Sequence, residues 1–465
     1  MKSVLPFLRN SWRWLTSMRT ALVLLFLLAV AAIPGSLFPQ RNIKFEDVRS
    51  YYAANPELAP ILDRLWFFDV FASPWFAAIY LLLFTSLIGC VTPRLRDHVR
   101  AIMRPPPNAP RNFNRLPHHA VLESAAEPAL KGWRRRRQVL DDGTVTVSAE
   151  KGYLKETGNL LFHFSLLLIL VGVGFGSQWS WHANRLLVLD EEFCNNLQQY
   201  DDYGLGPRVS ASDLPRFCLK LTDFKVSYQD SGMAKSFEAT VNGDQKFSVN
   251  HPLRLDGANV YLLGHGYAAV IRYTDTEGKA QTTVSPMLPL DDMLTSEGVA
   301  AFPDAAKQVG FEGLYLPTNG QGRSLFPAEK DPALMLLAYE GDLGLDAGIT
   351  DSVYRLDKTR LKQIGEAKMM RKGDTWAFED GSKVEFLGTK PFVTMTIRHD
   401  PGEPVVLAGA VLLMLGLPMS LYGKRRRVWW RLNPDGTAEA GGLPKTDYPG
   451  FAEEFAKVTK CPTPS

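Results

Sequence analysis

Four stretches of this chain stay apolar long enough to cross a bilayer, and what lies between them either alternates or is densely charged. About 20 apolar residues are enough to cross the hydrocarbon, so the pattern predicts transmembrane helices over residues 20–38, 74–91, 157–177 and 404–422. Residues 1–19 mix Trp12, Trp14 and Leu15 with Arg9, Arg13 and Arg19, which suits a short helix lying in the interface. Pro34 and Gly35 predict a kink or early unwinding at the end of the first span. Residues 39–73 form a connection whose Trp66, Phe67, Phe68 and Phe71 suit the headgroup level. Residues 178–403 alternate instead, over Phe217 to Tyr228, Val260 to Tyr273 and Lys390 to Arg398. Asn242-Gly243, Asp256-Gly257 and Asp380-Gly381 separate alternating runs as hairpin turns do. Ser352 to Met370 is the one segment of this region that predicts a helix. The expected fold is a membrane protein with four transmembrane helices and a large β-rich domain, either a sandwich or a partly open barrel.

Charge orients this pattern. The net charge of +3 says little, because the two signs are segregated. Residues 92–156 carry Arg94, Arg96, Arg100, Arg104 and the run Arg134 to Arg137, broken by PPPNAP at 105–110; Thr144 to Ser148 predicts a strand there. Lys424 to Arg427 follow the fourth span. Short basic segments stay in the cytoplasm, so both termini and residues 92–156 are expected inside and the acidic 178–403 domain outside. The arginine run fits a topology signal or an anionic-lipid contact, and no strongly basic soluble domain points to nucleic acid. The tail after Asn433 is expected to be loosely ordered.

Candidate chemistry is sparse. His163 is the only ionisable side chain between Thr157 and Ser177, about 9 Å into its span at 1.5 Å per residue. An ionisable group at that depth needs a partner and marks a functional hypothesis; neutral imidazole is also the commonest metal ligand. Asn159 sits one turn earlier on the same face and can serve as a supporting partner of the ring. A histidine bonded between helices fits the same residues equally well. Gly172 and Gly176 form a GxxxG pair that permits close helix contact. His118 and His119, adjacent on a strand, point to opposite faces and read as a solvated pair. His182 and His399 flank the outer domain near the spans, where they suit an interfacial belt or contact with a bound cofactor. His251 and His265 fall in predicted turns. The four cysteines form no C-x-x-C, and a Cys194–Cys218 disulfide is an open possibility if the domain lies outside. There is no nucleophile elbow, Walker lysine loop or dinucleotide fingerprint.

Taken in order, SMRTALVLLFLLAVAAIPGSLFPQ, DVFASPWFAAIYLLLFTSLIGC, KGYLKETGNLLFHFSLLLILVGVGFG, VNHPLRLDGANVYLLGHGYA and DPGEPVVLAGAVLLMLGL resemble the ResB or CcsB type of cytochrome c biogenesis protein. The resemblance implies a non-catalytic subunit in the bacterial inner membrane. It would help carry haem outward for covalent attachment to c-type apocytochromes, beside a ResC or CcsA-type membrane partner and thiol-reducing proteins. In that family the intramembrane histidine, here His163, ligates the iron of haem b, and a second ligand would come from the partner or from Met414 or Met419. A membrane-anchored sensor or assembly scaffold with a ligand-binding β domain is the alternative.

Overall fold

The computed structural model describes residues 4–41, 45–122, 130–255, 257–344, 356–445 and 448–459. Asp256 and Cys461 lie outside the described residues. The chain forms two compact units, residues 1–177 with 401–465, and residues 178–400.

The first unit begins with α1 (Val4–Leu15) and α2 (Met18–Leu37). The Ser17 hydroxyl accepts the Thr20 N–H at 3.2 Å and so satisfies one of the free donors that start α2. Pro34 does not unwind the helix, which runs on to Leu37. The following connection is not a simple loop. It holds α3 (Phe45–Ala54) and α4 (Ala59–Arg64), packed through Val48, Leu62 and Phe68, with Arg41 forking between Asp69 and Asp63, the latter at 2.8 Å. Burial pushes the Asp69 carboxyl up, while the Tyr52 hydroxyl holds Asp63 below its ordinary range. Ser73 then caps α5 (Pro74–Met103), with Pro74 at its first position. This helix has 30 residues and passes Pro93, well beyond the 74–91 span read from hydropathy.

Strands β1 (His118–Leu122), β2 (Arg134–Val139) and β3 (Val145–Lys151) follow, and β3 leads directly into α6 (Leu154–Trp179). The arginine run therefore forms a strand, Arg134 to Arg137, whose residues alternate between half-buried and exposed. Arg134 donates to the carbonyls of Ala101, Ile102 and Arg104, at 3.3, 2.6 and 2.6 Å, and so caps the end of α5.

The second unit holds β4 (Trp181–Val188), β5 (Glu192–Cys194), β6 (Asp202–Leu205), β7 (Cys218–Tyr228), β8 (Ala234–Val241), β9 (Gln245–Ser248), β10 (Leu253–Leu255) and β11 (Ala258–Thr274). It continues with β12 (Ala280–Pro289), β13 (Ser296–Phe302), β14 (Val309–Leu316), β15 (Ala333–Gly341), β16 (Leu361–Met370), β17 (Thr375–Ala377) and β18 (Lys383–His399). Eleven strands make one open sheet, in which β16 through β11 run in sequence and β18, β4 and β6 complete the path. A four-stranded sheet, β5-β7-β8-β9, faces it across a core of Phe193, Leu219, Leu221, Val260 and Met395. A second core, around Phe302, Phe311, Tyr315 and Phe386, is enclosed by the larger sheet. The sheets do not close, so the domain is a sandwich and not a barrel. The helix expected over Ser352 to Met370 is overturned where the segment is described: residues 361–370 pair with β15 as its outer neighbour. Residues 345–355 lie outside the described residues.

The chain then returns to the first unit through α7 (Glu403–Tyr422), β19 (Arg426–Leu432), β20 (Ala438–Pro444) and α8 (Phe451–Thr459). Where it is described, the tail is thus ordered, contrary to expectation. β19 inserts between β3 and β20, which gives the sheet β1-β20-β19-β3-β2. Trp430, Val147 and Ala440 pack under Phe451 and Phe455 of α8. His118 packs against these two phenylalanines, edge-on to Phe451 at 4.9 Å and tilted to Phe455 at 5.8 Å, while His119 faces Glu439 on the other side. The pair does split between faces, but His118 is packed and not solvated.

Candidate functional site

The site is set by how α6 meets α7. Gly402, Gly409, Gly416 and Gly423 recur every seven residues along α7 and its flanks. Opposite them α6 presents Gly158, Ser165 and Gly172 at the same interval. A seven-residue repeat of small side chains gives a seam along which two helices approach backbone to backbone. A Cβ added at Gly416 would lie 2.7 Å from the Phe162 amide nitrogen; one at Gly409 would lie 2.7 Å from Ile169 Cγ1; one at Gly172 would lie 2.7 Å from Val406 Cγ2. The order of these contacts makes the pair antiparallel. The GxxxG pair at Gly172 and Gly176 is therefore part of a longer seam whose signal, the heptad of glycines in α7, was present in the sequence. Gly416→Leu is expected to cost about 1–3 kcal/mol through overpacking. Denaturant unfolding of the detergent-solubilised protein would show it as an early transition.

His163 points away from this seam. It lies about 140° around α6 from Gly158 at 100° per residue, on the stripe that also holds Leu170 and Gly174. Those two residues meet Tyr80 of α5, whose hydroxyl donates to the Leu170 carbonyl. The imidazole is half-buried. Its Nδ1 sits 2.8 Å from the Asn159 carbonyl oxygen. A carbonyl only accepts, so Nδ1 carries the proton and a neutral ring presents the Nε2 lone pair. This is the tautomer a metal-ligating imidazole needs, with its second nitrogen tied back to protein. Asn159 supplies that tie through its backbone and not through its side chain.

Neither methionine considered as a companion shares this face. Met414 is 72% exposed and lies about 160° around α7 from the glycine that touches α6. Met419 sits against Gly158, on the seam side.

A polar cluster lies at the β3 end of α6, beginning about two turns before His163. Glu150 is fully buried and receives Arg425 at 2.6 Å, Arg427 at 3.0 Å and the Tyr153 hydroxyl at 2.6 Å. Burial pushes its carboxyl up, but the Tyr153 and Arg425 hydrogen bonds and both guanidiniums outweigh it and hold the group below its ordinary range. Arg425 also pairs with Glu156. Glu156 Oε2 lies 3.6 Å from Nδ1 of the buried His98, whose Nε2 is 3.1 Å from the Thr157 hydroxyl. Thr157 donates to the Tyr153 carbonyl, so it accepts from His98. Sequence reasoning missed His98 because hydropathy ended the second span at Val91. The signal was the seven-residue interval from Val91 to His98, the two buried positions of this part of α5.

His182 and His399 are not brought together as a ligand pair. His182 pairs across the sheet with Arg398, and His399 with Trp181, so the two rings start from opposite faces. The His182 ring lies across Gly204 of β6. His265 is the more enclosed histidine of this unit, within 5.3 Å of Phe224 and 4.8 Å of Phe237 and hydrogen-bonded to the Tyr228 hydroxyl at 2.6 Å. Burial pushes it down to about 4. Because the folded form holds the proton less well than the unfolded form, its contribution to stability is present above 6.5 and drains away as pH falls toward 4. Thermal melts of the β domain across that window should lose stability by at most about 1.4 kcal/mol per pH unit. His265→Gln should flatten the slope.

Cys194 and Cys218 do form a disulfide, joining β5 to β7. Cys90 is a buried free thiol.

Four helices of membrane-spanning length and a separate β sandwich define a polytopic membrane protein, with buried His98 on α5 and half-buried His163 on α6. The chain belongs to the ResB-like family, which it matches over residues 18–456. It is similar to a cytochrome c biogenesis protein CcsB of Synechococcus sp. (strain CC9902), 26% identical over 472 residues that cover 96% of both chains. The corresponding protein of Prochlorococcus marinus (strain MIT 9303) is 26% identical over 98% of this chain and 99% of its own. That of Gloeobacter violaceus is 25% identical over 96% and 89%.

Proposed function

We propose that this chain acts in c-type cytochrome biogenesis as a membrane subunit that holds haem, as cargo, within the bilayer for delivery to apocytochromes. The observation that carries the reading is His163: half-buried, with Nδ1 committed to the Asn159 carbonyl and Nε2 left as a donor toward iron. The residues fit one axial position. A second ligand from a CcsA-type partner completes a six-coordinate iron, since Met414 points to a different side of the helix pair. In this reading β1–β3, β19, β20 and α8 lie in the cytoplasm of a bacterial cell and the β sandwich lies outside, where a disulfide is stable. The chain carries no thioether chemistry itself, and thiol-reducing proteins keep the substrate cysteines available.

Deleting the gene should abolish covalently haem-stained c-type cytochromes while leaving b-type haem proteins unchanged. The chain co-purified with its membrane partners should show a Soret band. Normal c-type cytochromes in the deletion strain would overturn the proposal.

A further inference from the structure

We infer that Cys194–Cys218 is a redox-active disulfide on the surface of the β sandwich, exchanging with cysteine pairs of an extended polypeptide. The exchange itself stands on the geometry below; only the class of partner rests on the function proposed above.

The disulfide lies outside the core. Cys194 and Cys218 face each other on the antiparallel strands β5 and β7, of which β5 is the sheet edge. Between them Phe193 and Leu219 point inward and are 0% and 1% exposed, so these strands are already held by apolar packing and backbone pairing. The sulfurs occupy the opposite face, where Cys218 is exposed and Cys194 is half-exposed. Exposed disulfides are the labile ones, open to attack by a thiolate.

The surroundings add what such an attack needs. A carboxylate oxygen of Glu192 lies within 4.8 Å of both sulfurs. Lys220 is exposed two residues beyond Cys218 on the same face of β7, opposite Glu192 of β5, and a cation beside a cysteine favours its thiolate. Asn242 holds the backbone there, donating to the Cys218 carbonyl at 3.2 Å and accepting from the Lys220 amide at 2.9 Å. Cys218 is therefore the better leaving group, and Cys194 is the sulfur attacked.

The incoming peptide thiol gives its proton to Glu192, and the resulting thiolate attacks Cys194 Sγ. The Cys194–Cys218 bond breaks, its electron pair goes to Cys218, and Glu192 returns the proton there. Glu192 then takes the proton of the second peptide thiol, whose thiolate attacks the peptide sulfur of the mixed disulfide; that bond breaks with its electron pair on Cys194, and Glu192 returns the proton there. Two electrons and two protons pass from the peptide dithiol to this pair, and the same steps run backward when the pair starts reduced. A C-x-x-C-H segment, the sequence type that takes haem covalently, carries such a dithiol.

The test uses the intact detergent-solubilised protein with its other thiols blocked, mixed separately with glutathione and with a reduced C-x-x-C-H peptide. New thiols are read by alkylation and mass shift, and folding by circular dichroism. The pair is expected to become alkylatable with both thiols while the protein stays folded. Glu192→Gln, which keeps the disulfide, should slow exchange about 10-fold or more. In Cys218→Ser, whose Cys194 is a free thiol, a C-x-x-S-H peptide supplied as its disulfide with glutathione should be captured on Cys194 as a mixed disulfide, glutathione leaving as the thiol, because no second peptide thiol is there to resolve it. Thiols that emerge only together with unfolding, or a Glu192→Gln rate equal to that of the parent, would overturn the inference. Exchange with glutathione but not with the peptide would retire the polypeptide partner. Loss of haem delivery in other experiments leaves this chemistry untouched.

Discussion

His163→Ala should strip the complex of at least ~10-fold of its haem, because even the outer partners of a metal ligand are worth 10–100-fold in affinity. The protein should still accumulate. Alanine is the better helix former, and the substitution removes a polar ring from a half-buried position in α6 without touching the glycine seam. Free imidazole in the growth medium should restore part of the Soret band by filling the vacated coordination position. Asn159→Ala is the informative companion. The group that fixes the ring is the backbone carbonyl of residue 159, which alanine keeps, so this variant should retain its haem. A His163→Ala complex with a full Soret band would remove the ligand reading altogether and leave His163 as a helix-packing residue.

The contrast between these two substitutions shows where the sequence was legible. The spans stood out because long uncharged runs have one physical meaning, and His163 stood out because nothing else ionisable shares its run. Which atom of Asn159 faces the ring is a matter of rotamer and helical hydrogen bonding that residue identity does not encode. The small β sheet was illegible for another reason. Arg426 of β19 pairs with Lys151 of β3, across most of the chain, and Arg134 to Arg137 look like a solvated charge run until their alternate burial is seen. Residues 361–370, LKQIGEAKMM, are good helix formers, yet they pair at the outer edge of β15, where pairing overrides propensity. The disulfide was open on sequence alone because only the facing register of β5 and β7 brings the two cysteines together.

The second large effect is expected at Arg425. Its side chain is 7% exposed and that of Glu150 is 0% exposed. Removing one partner of a buried pair strands the other in a low-dielectric site, at a cost of about 3–5 kcal/mol. Arg425→Ala should therefore destabilise the first unit by that amount, seen as a lower denaturant midpoint or faster proteolysis in detergent. The double change Arg425→Met with Glu150→Leu should cost less than Arg425→Ala alone, since an apolar pair strands no charge. The pH dependence has a definite sign. Glu150 is held below its ordinary value, so its stabilising contribution is present above the unfolded carboxyl range and is lost only as pH falls through the folded one. The mutant deficit should thus be constant at neutral pH and shrink in acid. The cluster also acts on the site, because β3 enters α6 through Gly152, at a φ of +97°, directly beside Arg425, which follows α7. Arg425, Glu150 and Glu156 clamp the ends of both helices of the seam. Loosening that clamp should broaden the Soret band before haem is lost. An Arg425→Ala protein within about 1 kcal/mol of the parent would show that the clamp is decoration and that the glycine seam alone positions His163.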